Sequence, residues 1–496
     1  MTSFKYRKLV QTICEQIDSG ALHDKLPSVR QAAKQYQLGV STVVQAYQEL
    51  ERLGNVIAKP KQGYFVAKVA SKPLIDHGQS INRVKAGQAL DMAVQYSLND
   101  PNLLPLSCTA PSSVLDNELL LNKLHRKALA TRPYKMLMDD PVEGLPALRA
   151  NLAKHLSFAS HHLQPSQMLS NQTLPRHKQS GLSSNDILIT HGRKDSLLVA
   201  LMSTNALSQP IAVESPISYY LQATLKAVNA EVIEVPMQAK YQDEIALLSA
   251  VHDKQAFNVY LVNPNFADPN GRVLSTQDKL ALLAWAKARQ VTLIEYDRGE
   301  LYFGSQRPIS LALLAKSYPS YKVISIGDFY DTLSPSFSLG YLVAINVFQE
   351  CQLTKQTICE EPSIALQQML NTLFDNKLYH KHCDRLRAQM QVNLNRSLDI
   401  LSPTLNRLAP NGLQCSEITG GPCLWFKLPE HISSKTLWDR AIANGISIAP
   451  GAMFSFDERY DNYFRITFAL PWDEQMQQGI ETLGQLLIEL IDSDNG

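Results

Sequence analysis

The 496-residue chain has no run of about 18 or more apolar residues, and no early apolar segment followed by a small-residue cleavage site. A membrane span and a cleaved leader are therefore not expected, and the chain reads as a soluble cytoplasmic protein. It has no C-x-x-C pair. Cys14, Cys108, Cys351, Cys359, Cys383, Cys415 and Cys423 are scattered, which excludes a disulfide frame and leaves reduced thiols. Net charge is almost absent, at +1, but it is unevenly spread. Residues 1–70 hold ten Lys/Arg against five Asp/Glu, a surplus of +5 that leaves −4 for the remainder. A basic head on a mildly acidic body points to a polyanionic partner for the head. The length suggests about three domains.

What is present begins with helical spacing. Leu9, Val10, Ile13, Cys14 and Ile17 recur on one face, and Gly20 stands where that helix stops. Pro27 and Ser28 are placed to open a second helix through Ala32, Ala33 and Tyr36. Leu38-Gly39-Val40 breaks it. Ser41 is placed to cap a third helix whose inner face is Val43, Val44, Tyr47 and Leu50, ended by Gly54. Val56-Ile57-Ala58 and Tyr64-Phe65-Val66-Ala67 predict two strands joined by the basic turn Lys59-Pro60-Lys61-Gln62-Gly63. Three short helices and a basic hairpin make a winged helix-turn-helix, whose later helix enters the major groove.

The stretches Leu26-Pro27-Ser28-Val29-Arg30, Ser41-Thr42-Val43-Val44-Gln45-Ala46-Tyr47-Gln48-Glu49-Leu50 and Gly63-Tyr64-Phe65-Val66-Ala67 resemble the GntR-type winged helix. The resemblance implies double-stranded DNA as the partner. Ser28, Arg30, Ser41 and Thr42 are then expected at phosphates or base edges, Gln45 near the groove, and Lys61 and Gln62 at the wing tip. Arg30 offers a bidentate fork and Lys61 a point charge. Ser41 also serves as a helix cap, and Tyr47 is expected in the core.

The winged helix is expected over residues 1–68, and residues 69–95, without clear periodicity, as a linker to a body spanning 96–490. A helix is expected near Leu119 to Leu129, and the polar stretch 160–184 as a loop. His161, His162 and His177 in that loop have no carboxylate or cysteine at ligand spacing, so no metal is expected. His380-Lys381-His382-Cys383 is expected on an amphipathic helix with Leu378, Leu386 and Met390, and Asp139 and Asp140 in a loop or cap. From Asp186 onward, apolar strands alternate with helices: Ile187–Thr190, Ile211–Glu214, Val232–Val235, Val259–Val262, Val291–Glu295 and Val323–Ile326. That rhythm predicts an α/β fold on a mostly parallel sheet. The final part, from about residue 385, predicts a small α+β unit with strands at Pro422–Leu428 and Phe464–Phe468.

Gly144-Leu145-Pro146-Ala147-Leu148-Arg149, Glu214-Ser215-Pro216, Gly420-Gly421-Pro422-Cys423-Leu424-Trp425 and Ala449-Pro450-Gly451 resemble the landmarks of fold-type I (class I/II) aminotransferases. Behind a GntR-type head, they resemble the MocR-type regulators. The resemblance implies a mostly parallel large subdomain, an α+β small subdomain, and pyridoxal phosphate held as a Schiff base by a lysine. The segment from Ser325 to Tyr341 resembles the anchoring segment, and Asp331 falls at the lysine's place. A carboxylate cannot form a Schiff base.

By the same resemblance, Asp328 replaces a phosphate-binding serine and Ser338 a phosphate-binding arginine. Ser218, with Tyr219 one step off, replaces a stacking ring, and Asp268 an asparagine. Asp297 is the candidate partner of the pyridine nitrogen. Gly192, Arg193 and Lys194 open a helix whose N–H groups are placed to hold an anion. Arg465 matches the substrate-carboxylate arginine, and both capture of a small carboxylate ligand and a structural salt bridge stay open. Against the family pattern, Asp268, Asp328, Asp331 and Ser338 move the local charge five units toward negative. Each like-charge contact at about 4 Å costs roughly 4 kcal/mol at an effective dielectric near 20. One surviving helix N-terminus returns only about 0.3–2 kcal/mol.

The expectation is a homodimeric DNA-binding transcriptional regulator, not an enzyme. Its aminotransferase-like body serves dimerisation or ligand sensing, with pyridoxal phosphate absent or non-covalent. Two alternatives stay open: a MocR-type sensor that still holds pyridoxal phosphate non-covalently, and a transaminase with a DNA-binding appendage. Asp331 opposes the last.

Overall fold

The computed structural model describes residues 25–52, 56–59, 63–66, 86–98, 100–109, 141–157, 181–318, 320–334 and 337–494, with scattered residues before 25 and Leu124 and Arg126. Two compact units divide after Val84. The first contains α1 (Val29–Gln35), α2 (Val40–Arg52), β1 (Val56–Lys59) and β2 (Gly63–Val66). Ser28 caps α1 in a reciprocal box: its hydroxyl accepts from the Gln31 N–H, and its own N–H donates to Gln31 Oε1. Val43, Ala46, Tyr47 and Leu50 of α2 pack with Leu9, Val10, Ile13 and Leu26. The buried Tyr47 hydroxyl donates to the Pro27 carbonyl at 2.8 Å, and burial pushes its pKa up to about 12. Val44, expected inside, is only half-buried, because the helical period already fills the inner face with its neighbours. β1 and β2 pair antiparallel from Val56–Val66 to Lys59–Gly63. Lys61 and Gln62 lie outside the described residues.

The second unit opens with α3 (Ala86–Ser97), which overlaps the end of the stretch 69–95 expected to be a linker. Its Val94 is buried with Trp425, Met453 and Phe454. Contacts so distant in sequence leave no local signal, which is why composition alone read as a tether. There follow α4 (Pro146–Ser157), β3 (Ile187–Thr190), α5 (Arg193–Ser203), β4 (Ile211–Ser215), α6 (Tyr219–Ala227), β5 (Val232–Pro236), α7 (Tyr241–Lys254) and β6 (Val259–Asn265). Then come α8 (Thr276–Ala288), β7 (Thr292–Asp297), α9 (Leu311–Ala315), β8 (Val323–Asp328) and β9 (Gly340–Ile345).

These strands form one sheet in the order β3-β9-β8-β7-β6-β4-β5. Pairs among β4 to β8 are parallel, and β9 runs antiparallel to both β3 and β8. β9 was not anticipated as a strand. Apolar side chains fill both faces: Leu293 joins one core and Ile294 the other, as strand alternation requires.

The chain continues through α10 (Phe348–Ile358), α11 (Ile364–Asp375), α12 (Leu378–Leu408), β10 (Gln414–Cys415), β11 (Cys423–Lys427), α13 (Ser434–Ala443), β12 (Ala449–Pro450), β13 (Tyr463–Thr467) and α14 (Glu474–Asp494). Here a four-stranded antiparallel sheet, ordered β10-β11-β13-β12, shares an apolar core with α12 and α14. The expected loop at 160–184 falls almost entirely outside the described residues, as do Asp139 and Asp140. Of the helix expected near Leu119, only Leu124 and Arg126 are described, both helical. Among the described residues, no helix is long and apolar enough to cross a membrane. No group of three or more His, Cys, Asp or Glu is disposed to hold a metal there.

Candidate functional site

The carboxyl ends of β7 and β8 place Asp297 and Asp328 at the crevice where parallel sheets collect their ligands. Asp331 follows on the turn after β8 and is buried. Its Oδ2 accepts from Arg298 Nε at 3.1 Å and from Nη2 at 2.9 Å. Its Oδ1 faces Arg193 Nη1 at 3.8 Å. Arg193 also faces Asp328 at 3.7 Å and donates to the Tyr296 hydroxyl at 2.9 Å. Its guanidinium lies 3.7 Å from the Tyr220 ring centroid and 4.1 Å from that of Tyr330, a contact favourable to a cation on two π faces.

A third pair closes the group. Arg465 Nη1 donates to Asp268 Oδ1 at 2.6 Å, and Nη2 to the Ser107 carbonyl. Ser218 donates to Asp268 Oδ2 at 3.0 Å.

Burial would raise the Asp268 pKa, but Arg465, Arg298 and the Ser218 hydroxyl hold it below its ordinary value. Burial raises Asp328, and neighbouring Asp331 adds to that against Arg193. Burial would lower Arg193, yet Tyr296, Asp328, Asp331 and Tyr220 leave it well above its ordinary value.

Asp297 is engaged otherwise. Its Oδ1 accepts from Asn265 Nδ2 and the Gly299 N–H, both at 2.8 Å, and its Oδ2 from Arg307 at 3.0 Å. Beyond it, Glu300 pairs with Arg387 at 2.8 Å and with His155 at 2.9 Å. Burial would raise Glu300, but His155, Arg307 and Arg387 hold it well below the carboxylate range. These groups surround a cavity of about 30 Å³ lined by Tyr296, Arg298, Arg307, Asp328 and Asp331, among others. None of its lining residues is a lysine. The buried Lys279 amine instead donates to Asn265 Oδ1 at 2.6 Å, and burial lowers its pKa to about 8.

Several expectations change in this light. The four substitutions summed to a five-unit excess of negative charge, but the aspartates are not bare: Arg298, Arg193 and Arg465 each face one or more of them. A sum over a family pattern counts substituted acids and says nothing of the bases that face them in the fold, whereas a buried carboxylate demands a counter-charge. Ser338 is exposed and does not line the cavity. Tyr219 packs beside Trp425 and Phe454, and its neighbour Tyr220 reaches the buried charges instead. Lys194 is exposed. At the start of α5, Gly192 is the N-cap with no side-chain cap hydrogen bond, and the His191 N–H ahead of it donates to Asp195 at 3.0 Å.

Arg298, Tyr220, Tyr330 and Arg307 went unassigned from sequence. The signal for Arg298 is general: an aspartate in a buried segment calls for a base nearby. His380 and His382 lie on α12, bonded to His155 and to the Thr332 carbonyl. In the head, Ser28, Arg30, Ser41 and Gln45 are exposed, and Thr42 is half-buried.

Comparison with known proteins places both halves. Residues 5–66 match the gntR family of bacterial regulatory proteins, and residues 140–483 match aminotransferase class I and II. The chain is 28% identical to the uncharacterized HTH-type transcriptional regulator YdcR of Escherichia coli, across 98% of this chain and 99% of that one. It is 25% identical to the HTH-type transcriptional regulator TauR of Rhodobacter capsulatus, across 97% and 96%. The fold resembles LysN, an α-aminoadipate aminotransferase from Thermus thermophilus, with a TM-score of 0.68 and 22% identity over 83% of this chain and 99% of that one. The chain therefore belongs to the class I and II aminotransferase family over its larger part and carries a gntR-family head before it, the domain pair of the MocR-type regulators.

Proposed function

We propose that this chain is a DNA-binding transcriptional regulator, working as a homodimer, whose aminotransferase-like body assembles the regulator and does not catalyse. The head supports the first part. It matches a regulatory family, and it exposes Ser28, Arg30, Ser41 and Gln45 on and beside two short helices. Relatives that match over nearly the full length are named transcriptional regulators. A dimer presents two heads to two half-sites.

The Asp331–Arg298 pair carries the second part. Asp331 stands at the Schiff-base lysine's place in the anchoring segment, and its charge is spent on a neighbouring guanidinium. The residues present do not fit pyridoxal phosphate. An amine is replaced by a carboxylate, and the cations that a phosphate would need already face aspartates. The cavity, at about 30 Å³, holds about two waters. Pockets for small molecules run to roughly 300–1,000 Å³. Arg465 is likewise engaged by Asp268, which speaks against a free fork for a carboxylate ligand.

Purified full-length protein tests both parts. It is expected to lack an aldimine absorbance band and to yield no lysyl adduct after borohydride. It is expected to bind promoter DNA with an affinity that falls steeply as salt rises. A reduced lysyl adduct overturns the assignment of the body, and salt-independent or absent DNA binding overturns that of the head.

A further inference from the structure

Helix α2 exposes apolar surface where a merely solvated helix has no use for it. Val43, Ala46, Tyr47 and Leu50 are fully buried, so the inner face is already complete. On the outer side Val40 is 53% exposed, and Val44, one turn further, is half-buried. Ser41 and Gln45 are exposed beside them at the same spacing. Helix stability does not account for Val40. A β-branched residue is a poor helix former, and an apolar one satisfies none of the free N–H groups of a first turn.

The surroundings suit DNA. The first turn of α2 carries no acidic residue, and the first 70 residues hold a surplus of +5. In a helix-turn-helix, the N-terminal residues of the second helix face base edges. The apolar feature of those edges in the major groove is the thymine C5-methyl group. Four residues of helix rise about 6 Å, close to two base-pair steps of about 3.4 Å each. With α2 running along the groove, Val40 and Val44 thus lie about two base pairs apart, with Gln45 alongside to meet an adenine edge.

We propose that Val40, backed by Val44, is a specificity-determining residue that reads a thymine methyl in the major groove. The inference rests on the DNA-binding reading above and adds to it the base feature recognised.

The test uses the full chain and a duplex that it selects from a randomised pool. Each thymine of that duplex is replaced in turn by uracil, which removes only the methyl group. Wild type, Val40→Ala and Val40→Thr are compared. Uracil is expected to weaken wild-type binding about fivefold at particular positions. Val40→Ala should bind the thymine duplex about that much more weakly and be insensitive to uracil there. Val40→Thr, which keeps one methyl, should fall between the two.

Two results overturn the proposal: wild-type binding indifferent to uracil everywhere, or Val40→Ala as sensitive as wild type. Should the chain select no duplex, the DNA-binding reading falls with it. Selection of a duplex whose methyl groups do not matter removes this inference alone.

Discussion

Arg298 directs two N–H groups, Nε at 3.1 Å and Nη2 at 2.9 Å, onto the same oxygen of Asp331, and both residues are buried. The other Asp331 oxygen looks toward Arg193 at 3.8 Å without a hydrogen bond. One carboxylate thus lies between two cations, of which Arg193 in turn faces Asp328 and the Tyr220 and Tyr330 rings. Each charge in the group is balanced by neighbours, so altering one member exposes the rest.

Asp331→Ala is expected to destabilise the aminotransferase-like unit by about 3–5 kcal/mol, because it strands a buried guanidinium. Asp331→Ala combined with Arg298→Met should recover most of that loss. Asp331→Lys should be less stable than wild type and show no transamination, since the new amine would meet Arg298 and Arg193. Denaturant unfolding followed by tyrosine and tryptophan signals measures the first two, and amino-acid turnover the third. A near-neutral Asp331→Ala, or an active Asp331→Lys, contradicts this account.

Two aspartates should respond to pH with opposite signs. Asp268 has a folded pKa below its unfolded value, near 3.9, despite the burial that opposes it. Its contribution is fully present above about pH 5 and is lost as pH falls through the folded value. The stability gap between wild type and Asp268→Asn should therefore narrow in acid. Asp328 is raised by burial, so its ionised form is disfavoured in the fold and its cost grows as pH rises. Asp328→Asn should gain on wild type toward neutral pH. Parallel pH dependences for the two variants would count against this electrostatic picture.

Gly340→Ala should destabilise by roughly 1–3 kcal/mol. An added Cβ would come within 2.6 Å of Gly192 Cα and 2.8 Å of its carbonyl carbon. These are backbone atoms at the start of α5, which carries Arg193, so no side chain can rotate away. Thermal unfolding measures the loss, and a melting point equal to that of wild type refutes the crowding.

Arg30→Ala should weaken DNA binding by about 1–3 kcal/mol and change base preference. Lys61→Ala should weaken binding evenly across sequences and reduce the salt slope by about one. Titrations at several salt concentrations separate the two behaviours. Parental affinity in both variants would show that the contacts lie elsewhere.

The head was legible because its signals are local. Pro27 and Ser28 open a helix, and Val43, Tyr47 and Leu50 recur at its period. A short basic segment separates two runs of strand-forming residues. The body's parallel strands were legible for a similar reason, each being a short apolar run, and all but the edge strand β5 are buried on both sides. Helix α3 was not, since Val94 finds Trp425 and Phe454 only when the chain has folded.

At the site, the amino-acid order alone determined that position 331 is a carboxylate, which cannot itself form a Schiff base. Only the tertiary structure decided what became of the resulting charge. The partners of Asp331, Asp328 and Asp268 are Arg298, Arg193 and Arg465, brought in from the end of β7, the start of α5 and β13. A charge pattern along the chain is a sum, whereas the energy of a buried charge depends on which opposite charge stands a few ångströms away. That distance is set by packing.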